Sequence, residues 1–165
     1  MSQDNRNPNK IVLPNSVLIP KIVSLIEEGN HTVTLRMSGW SMQPFLDNNR
    51  DIALLAKVTT LHVGDAVLAE ISPQKYVFHR IVKIEGDDIT LQGDGNIGKE
   101  YCKRENVKAI GIGFYRKGRK MLDSTDGYKW KIYSWIWMHC PFRRYMLAAY
   151  RRIWIPITRT NIQSS

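Results

Sequence analysis

Cysteine is scarce: the chain has only Cys102 and Cys140, far apart and in no C-x-x-C pair. That excludes a disulfide scaffold and a thiolate metal site, and it fits a reducing compartment. No metal and no organic cofactor is expected. Long apolar runs are also missing. No stretch reaches the ~18 residues of a membrane span, and the polar opening "MSQDNRNPNK" lacks the apolar region of a secretory leader. The expected location is cytoplasmic, with peripheral attachment at the inner face of the membrane left open. Acidic residues are rare in one region only. From residue 116 onward eleven Lys and Arg stand against Asp123 and Asp126, and that difference is the entire formal charge of +9. Four of the five tryptophans lie there too. The sequence describes a neutral body followed by a basic, aromatic tail.

The body reads as mainly β. After a polar stretch over 1–12, expected to be disordered, "NSVLIPKIVSLIEEGN" predicts a short helix. Pro20 falls in its first turn and Gly29 at its stop. Hydrophobic period two then marks strands in "HTVTLRM", "DIALLAKV", "DAVLAEI", "YVFHRIVKI", "DITLQG" and "VKAIGIGFYR". Turn-rich segments separate them. The expected fold is a coiled antiparallel sheet or partly open barrel over 13–116. A hydrophilic linker follows at 117–127, then a basic, aromatic helical tail over 128–165. Between Pro141 and Pro156, helical spacing gathers Phe142, Tyr145, Met146, Ala149, Tyr150, Ile153 and Trp154 on one face. Arg143, Arg144, Arg151 and Arg152 fall opposite.

Chemistry centres on "RMSGWSMQPFL". It sets Ser38, Gly39, Ser41 and Met42 directly after a strand. A serine hydroxyl needs a base to become a nucleophile, and a nearby glycine lets backbone amides approach an oxyanion. His79 is the candidate base, since an imidazole titrates near neutrality. On its strand it shares a face with Val77 and Ile81, while Phe78, Arg80 and Val82 take the other. "LQGDGN" offers Asp94 as the acid that orients the imidazole. Counted from a turn near Gly86 and Asp87, His79 and Asp94 stand about equally far out, which sets them opposite on paired strands. Read singly, each of these residues also fits a plain structural role. His31, His62 and His139 read as surface or packing residues.

"SGWSMQP", Gly64–Asp65, "HRIVKI" and "GDGN" occur in the order and context of the S24/S26 serine peptidases, and residues 32–115 resemble that group. It comprises the signal peptidases and the LexA-type self-cleaving repressors. The "HR" strand and "GDxN" resemble the histidine-base subgroup of endoplasmic-reticulum and archaeal signal peptidases. The resemblance implies Ser41 as nucleophile, His79 as general base and Asp94 as supporting acid. Gly39 replaces the hydroxyl that many signal peptidases carry two residues before the nucleophile. Ser38, three before, follows the LexA pattern. Ser38, Gly39 and Met42 are therefore support residues, and the Ser41 backbone N–H is the expected oxyanion donor.

The implied function is a serine endopeptidase acting on a peptide or protein with a leader segment. The alternatives are a LexA-like self-cleaving module and a non-enzymatic binding module. The tail suits an anionic membrane surface. Packing on the body or a partner is the competing reading, and nucleic acid is the less favoured third.

Overall fold

The computed structural model describes residues 15–29, 32–48, 50–116 and 121–154. The N-terminal stretch expected to be disordered lies outside the described residues, as does the end of the tail.

The period-two segments form one open antiparallel sheet. Its strands are β1 (Val33–Arg36), β2 (Ile52–Ala56), β3 (Ala66–Ser72), β4 (Lys75–Glu85), β5 (Asp88–Gln92), β6 (Glu100–Lys103) and β7 (Val107–Tyr115). Their spatial order is β1-β2-β7-β3-β4-β5-β6, and a two-residue β8 (Asp123–Ser124) pairs with β7. This is the mainly β architecture expected, with β6 and β8 in addition. Neither has the length or apolar alternation that marks a strand in sequence. β6 is a sheet end, so only one of its edges is paired and it has little to bury. β8 falls within the stretch read as a linker and ties it to the sheet.

Helix α1 (Asn15–Glu28) buries Ile19, Ile22, Val23 and Ile26. That i, i+3, i+4, i+7 stripe faces the sheet, and each such isoleucine contributes about 1.5–3 kcal/mol. Pro20 lies inside this helix rather than in its first turn. α1 meets Leu35, Leu46, Leu55, Leu68, Phe78 and Phe114 in the larger core. A second cluster, including Val67, Ile81, Ile89 and Leu91, covers the other face. β3 is buried on both sides, because Ala66 and Leu68 point to one cluster and Val67 and Ala69 to the other.

The tail folds as α2 (Tyr128–His139) and α3 (Arg143–Ala149), followed by a wider π-type turn over Tyr150–Trp154. The break falls where Cys140 is extended (φ −72°, ψ 110°) ahead of Pro141. Proline disfavours a helical residue before it and lacks the N–H to continue the ladder. α2 packs on the body. Trp130 joins the larger core, with its ring centroid 4.5 Å from Phe45 and 5.1 Å from Phe114.

Candidate active site

Ser41 sits in the connection from β1 to β2, which a polar frame holds. Met37 N–H donates to the Asp51 carbonyl (2.9 Å), and Leu46 N–H to the Met42 carbonyl (2.9 Å), closing one helical turn after Ser41. Asp51 is fully buried and accepts from Arg50 Nε (2.8 Å) and from the Asp47 amide (3.0 Å). Burial pushes its carboxyl pKa up, but those donors outweigh it and hold the group below the ordinary value. Met42 is buried and anchors the turn. Gly39 N–H donates to Asn48 Oδ1 (2.9 Å), so this amide serves the loop. Ser38 is exposed at its rim.

His79 is 3% exposed on β4. Its Nδ1–H donates to Glu100 Oε2. An ionised carboxylate only accepts, so the proton sits on Nδ1 and Nε2 keeps its lone pair. Burial lowers the imidazole pKa and Glu100 opposes that shift; the net value is below the ordinary one. Ser38, Gly39, Ser41, Met42 and His79 line one cleft of about 150 Å³, with Leu35, Met37, Leu68 and Phe78 as apolar walls. No direct hydrogen bond joins the Ser41 hydroxyl to His79. Their closeness is visible at Gly93, where a β-carbon would stand under 3.0 Å from both the Ser41 carbonyl oxygen and His79 Nε2.

Asp94, expected beside the imidazole, makes no hydrogen bond to His79 and is paired with Arg80 instead. Near the hairpin turn the register runs Glu85↔Asp88 to Lys83↔Thr90, and extended unbroken it sets His79 against Asp94. A bulge at Val82 shifts it to Ile81↔Leu91 and Arg80↔Gln92. One residue of slip moves every later side chain to the other face. Gly93 then stands across from His79, and Asp94 shares the face of Arg80. The two form a buried, two-pronged ion pair: Arg80 Nε donates to Oδ1 (2.9 Å) and the second nitrogen to Oδ2 (2.6 Å). Arg80 also donates to the Gly64 carbonyl (2.8 Å) and to Ser134 Oγ on α2. Its guanidinium lies 4.4 Å from the Trp130 ring centroid.

The "GDGN" segment therefore works as a wall. Gly95 N–H donates to the Ser41 carbonyl (2.7 Å), fixing the segment against the serine. A β-carbon on Gly95 would meet the carbonyls of Trp40 and Gln43 at 2.5 and 2.9 Å. Both glycines are required for close approach. The tail holds the segment from behind. Arg143 donates to the carbonyls of Gly93 (2.6 Å), Asp94 (3.2 Å) and Asn96 (3.1 Å), Arg151 to that of Gly95 (2.5 Å), and Trp137 Nε1 to that of Asp94 (3.1 Å).

A family model described as "Peptidase S24-like" matches residues 2–114. The chain belongs to the Peptidase S24-like family. That membership agrees with the open antiparallel sheet and supports a serine peptidase or LexA-like module at family level. The matched residues include Ser41, His79, Asp94 and Glu100, and they end before α2. No curated protein matches the chain. Among the described residues, no group of three His, Cys, Asp or Glu side chains is arranged to hold a metal ion.

Sequence alone pointed neither to Glu100 nor to the bracing of residues 93–96 by Arg143 and Arg151, which it placed on a cationic helix face. Glu100 opens β6, the strand that lacks an apolar signal. Pairing supplies the link, since Ile81↔Leu91 and Leu91↔Glu100 put His79, Leu91 and Glu100 on one face of three adjacent strands.

Proposed function

We propose that this Peptidase S24-like protein is a serine endopeptidase that cleaves a leader-like segment of a peptide or protein, with Ser41 as nucleophile and His79 as general base. One observation carries the reading: Ser41 and a neutral, buried His79 line the same cleft, with the imidazole held at Nδ1 by Glu100. Glu100 thus takes the positioning role first expected of Asp94. Ser41 Oγ transfers its proton to His79 Nε2 and bonds to the peptide carbonyl carbon. The tetrahedral oxyanion accepts from the Ser41 backbone N–H. His79 returns the proton to the leaving amine as the C–N bond breaks, giving an acyl-enzyme and a new N-terminus. Water then attacks the ester with His79 as base, the acyl C–Oγ bond breaks as His79 returns that proton to Ser41 Oγ, and the new C-terminus leaves.

The cleft favours a small apolar side chain beside the scissile bond. Its volume is modest, and Met37, Met42, Leu68 and Phe78 wall it. An extended substrate pairs along β1, the end strand of the sheet that runs toward Ser41.

The test is hydrolysis of leader-like peptides followed by mass spectrometry. Ser41→Ala and His79→Ala are each expected to lower kcat/KM at least ~10³-fold. Equal cleavage by either variant and the wild type overturns the assignment. Intact mass after prolonged incubation separates cleavage in trans from a LexA-like self-cleavage: trans action leaves the chain at full mass.

A further inference from the structure

α3 and the turn that follows it are amphipathic in the inverted sense. A helix on a soluble body normally turns its apolar face inward. Here Arg143 and Arg151 point inward onto residues 93–96. Leu147 is the buried residue of α3, while Phe142, Tyr145 and Ile153 are 65%, 72% and 60% exposed. α2 differs in that apolar residues lie on both of its sides. Its inward stripe is Trp130, Ser134 and Trp137. At ~100° per residue, Tyr128, Ile132, Trp135 and Ile136 form a second apolar stripe on the far side, and all four are exposed. Lys129 and Lys131 flank that stripe on either side.

We propose that these outward faces of α2 and α3 dock on an anionic lipid surface. Charge identifies the occupant. The exposed cations beside the apolar residues include Lys129, Lys131, Arg144 and Arg152, and from residue 116 onward Asp123 and Asp126 are the only acids among thirteen charged side chains. A matching surface must be anionic. A second copy of this chain is a poor match, because twofold pairing sets like surfaces face to face and here opposes cation to cation. Exposed Trp and Tyr rings flanked by Lys and Arg suit the headgroup boundary of a bilayer. No helix among the described residues is long and apolar enough to cross a membrane, so the attachment lies in the plane of the surface. Docking goes beyond the peptidase reading and stands without it. With both, the arginines that brace residues 93–96 tie the wall of the Ser41 cleft to the lipid-bound tail.

The test is co-sedimentation of the full chain with phosphatidylcholine vesicles, with and without phosphatidylglycerol. Binding is expected only with the anionic lipid, and it weakens at about 0.5 M salt, where screening is short-ranged. Ile132→Ser, Trp135→Ser and Ile136→Ser combined are expected to lower partitioning at least about tenfold. Arg144→Glu with Arg152→Glu, both on exposed positions, does the same should the first variant fold poorly. Ser41→Ala binds like the wild type, so loss of catalysis and loss of docking are read separately. Equal sedimentation with neutral lipid, or unchanged binding by a folded variant, overturns the proposal. So does a dimer in lipid-free solution that the apolar triple variant dissolves.

Discussion

Glu100, at the start of β6, accepts the Nδ1–H of His79 on β4 across the intervening strand β5. This hydrogen bond fixes the tautomer, and with it the nitrogen that faces Ser41. Glu100→Gln is expected to lower kcat ~10²-fold or more while KM changes little, because the substrate does not touch this carboxylate. Glu100 also raises the imidazole pKa against burial. Its loss moves the acid limb of the rate profile to lower pH. A Glu100→Gln enzyme with wild-type kcat and an unmoved limb removes Glu100 from the mechanism.

Asp94 is predicted to act on stability. Arg80 and Asp94 are each 1% exposed, and removing one partner of a buried ion pair costs ~3–5 kcal/mol. Asp94→Asn keeps the shape but removes the charge facing Arg80. Urea unfolding should show that loss. Near-ultraviolet circular dichroism should also change as Trp130 and Trp137 loosen. Wild-type stability in Asp94→Asn contradicts the structural role.

How far the sequence could be read follows from these two carboxylates. Period two located every strand with an apolar face, and the order of Ser41, His79 and "GDGN" marked the elements that meet. The expected position of Asp94 opposite His79 was lost at one residue. Val82 bulges out of the β4–β5 pairing, and nothing in "HRIVKIEGDDITLQGD" announces a bulge. Counting across the hairpin therefore sent Asp94 to the wrong face. Glu100 escaped because β6 is four residues long and its inward positions, Glu100 and Cys102, are only half-buried, so "EYCK" carries no apolar alternation to read. The tail arginines were legible as a cationic face. Their partners are backbone carbonyls, which every residue carries, so composition does not reveal them.

Gly93→Ala tests the close packing of the wall. The new methyl meets the Ser41 carbonyl and the imidazole edge under 3.0 Å, and the former is backbone that cannot step aside. Core packing tolerates little such intrusion. The expected result is at least a tenfold fall in kcat (~1.4 kcal/mol) with the sheet intact by circular dichroism. Gly98→Ala is the control, since a β-carbon there meets nothing within 4 Å. Equal activity of the two variants contradicts the geometry.

The pH dependence of stability should carry the signature of His79. Burial lowers its folded-state pKa below the 6.5 of the free imidazole, so protonation is easier in the unfolded chain. A depressed pKa contributes stability that is fully present above 6.5 and is lost as pH falls through the folded value. The wild type should therefore lose unfolding free energy on the acid side of 6.5. His79→Gln, which cannot titrate there, should lose less across the same interval. The difference between the two curves isolates the imidazole from the carboxylates that protonate at lower pH. Activity follows the same group with the same sign, because only neutral His79 accepts the Ser41 proton: kcat/KM rises with pH through that value and then levels. Parallel stability curves for wild type and His79→Gln contradict the buried, neutral imidazole on which the proposed chemistry depends.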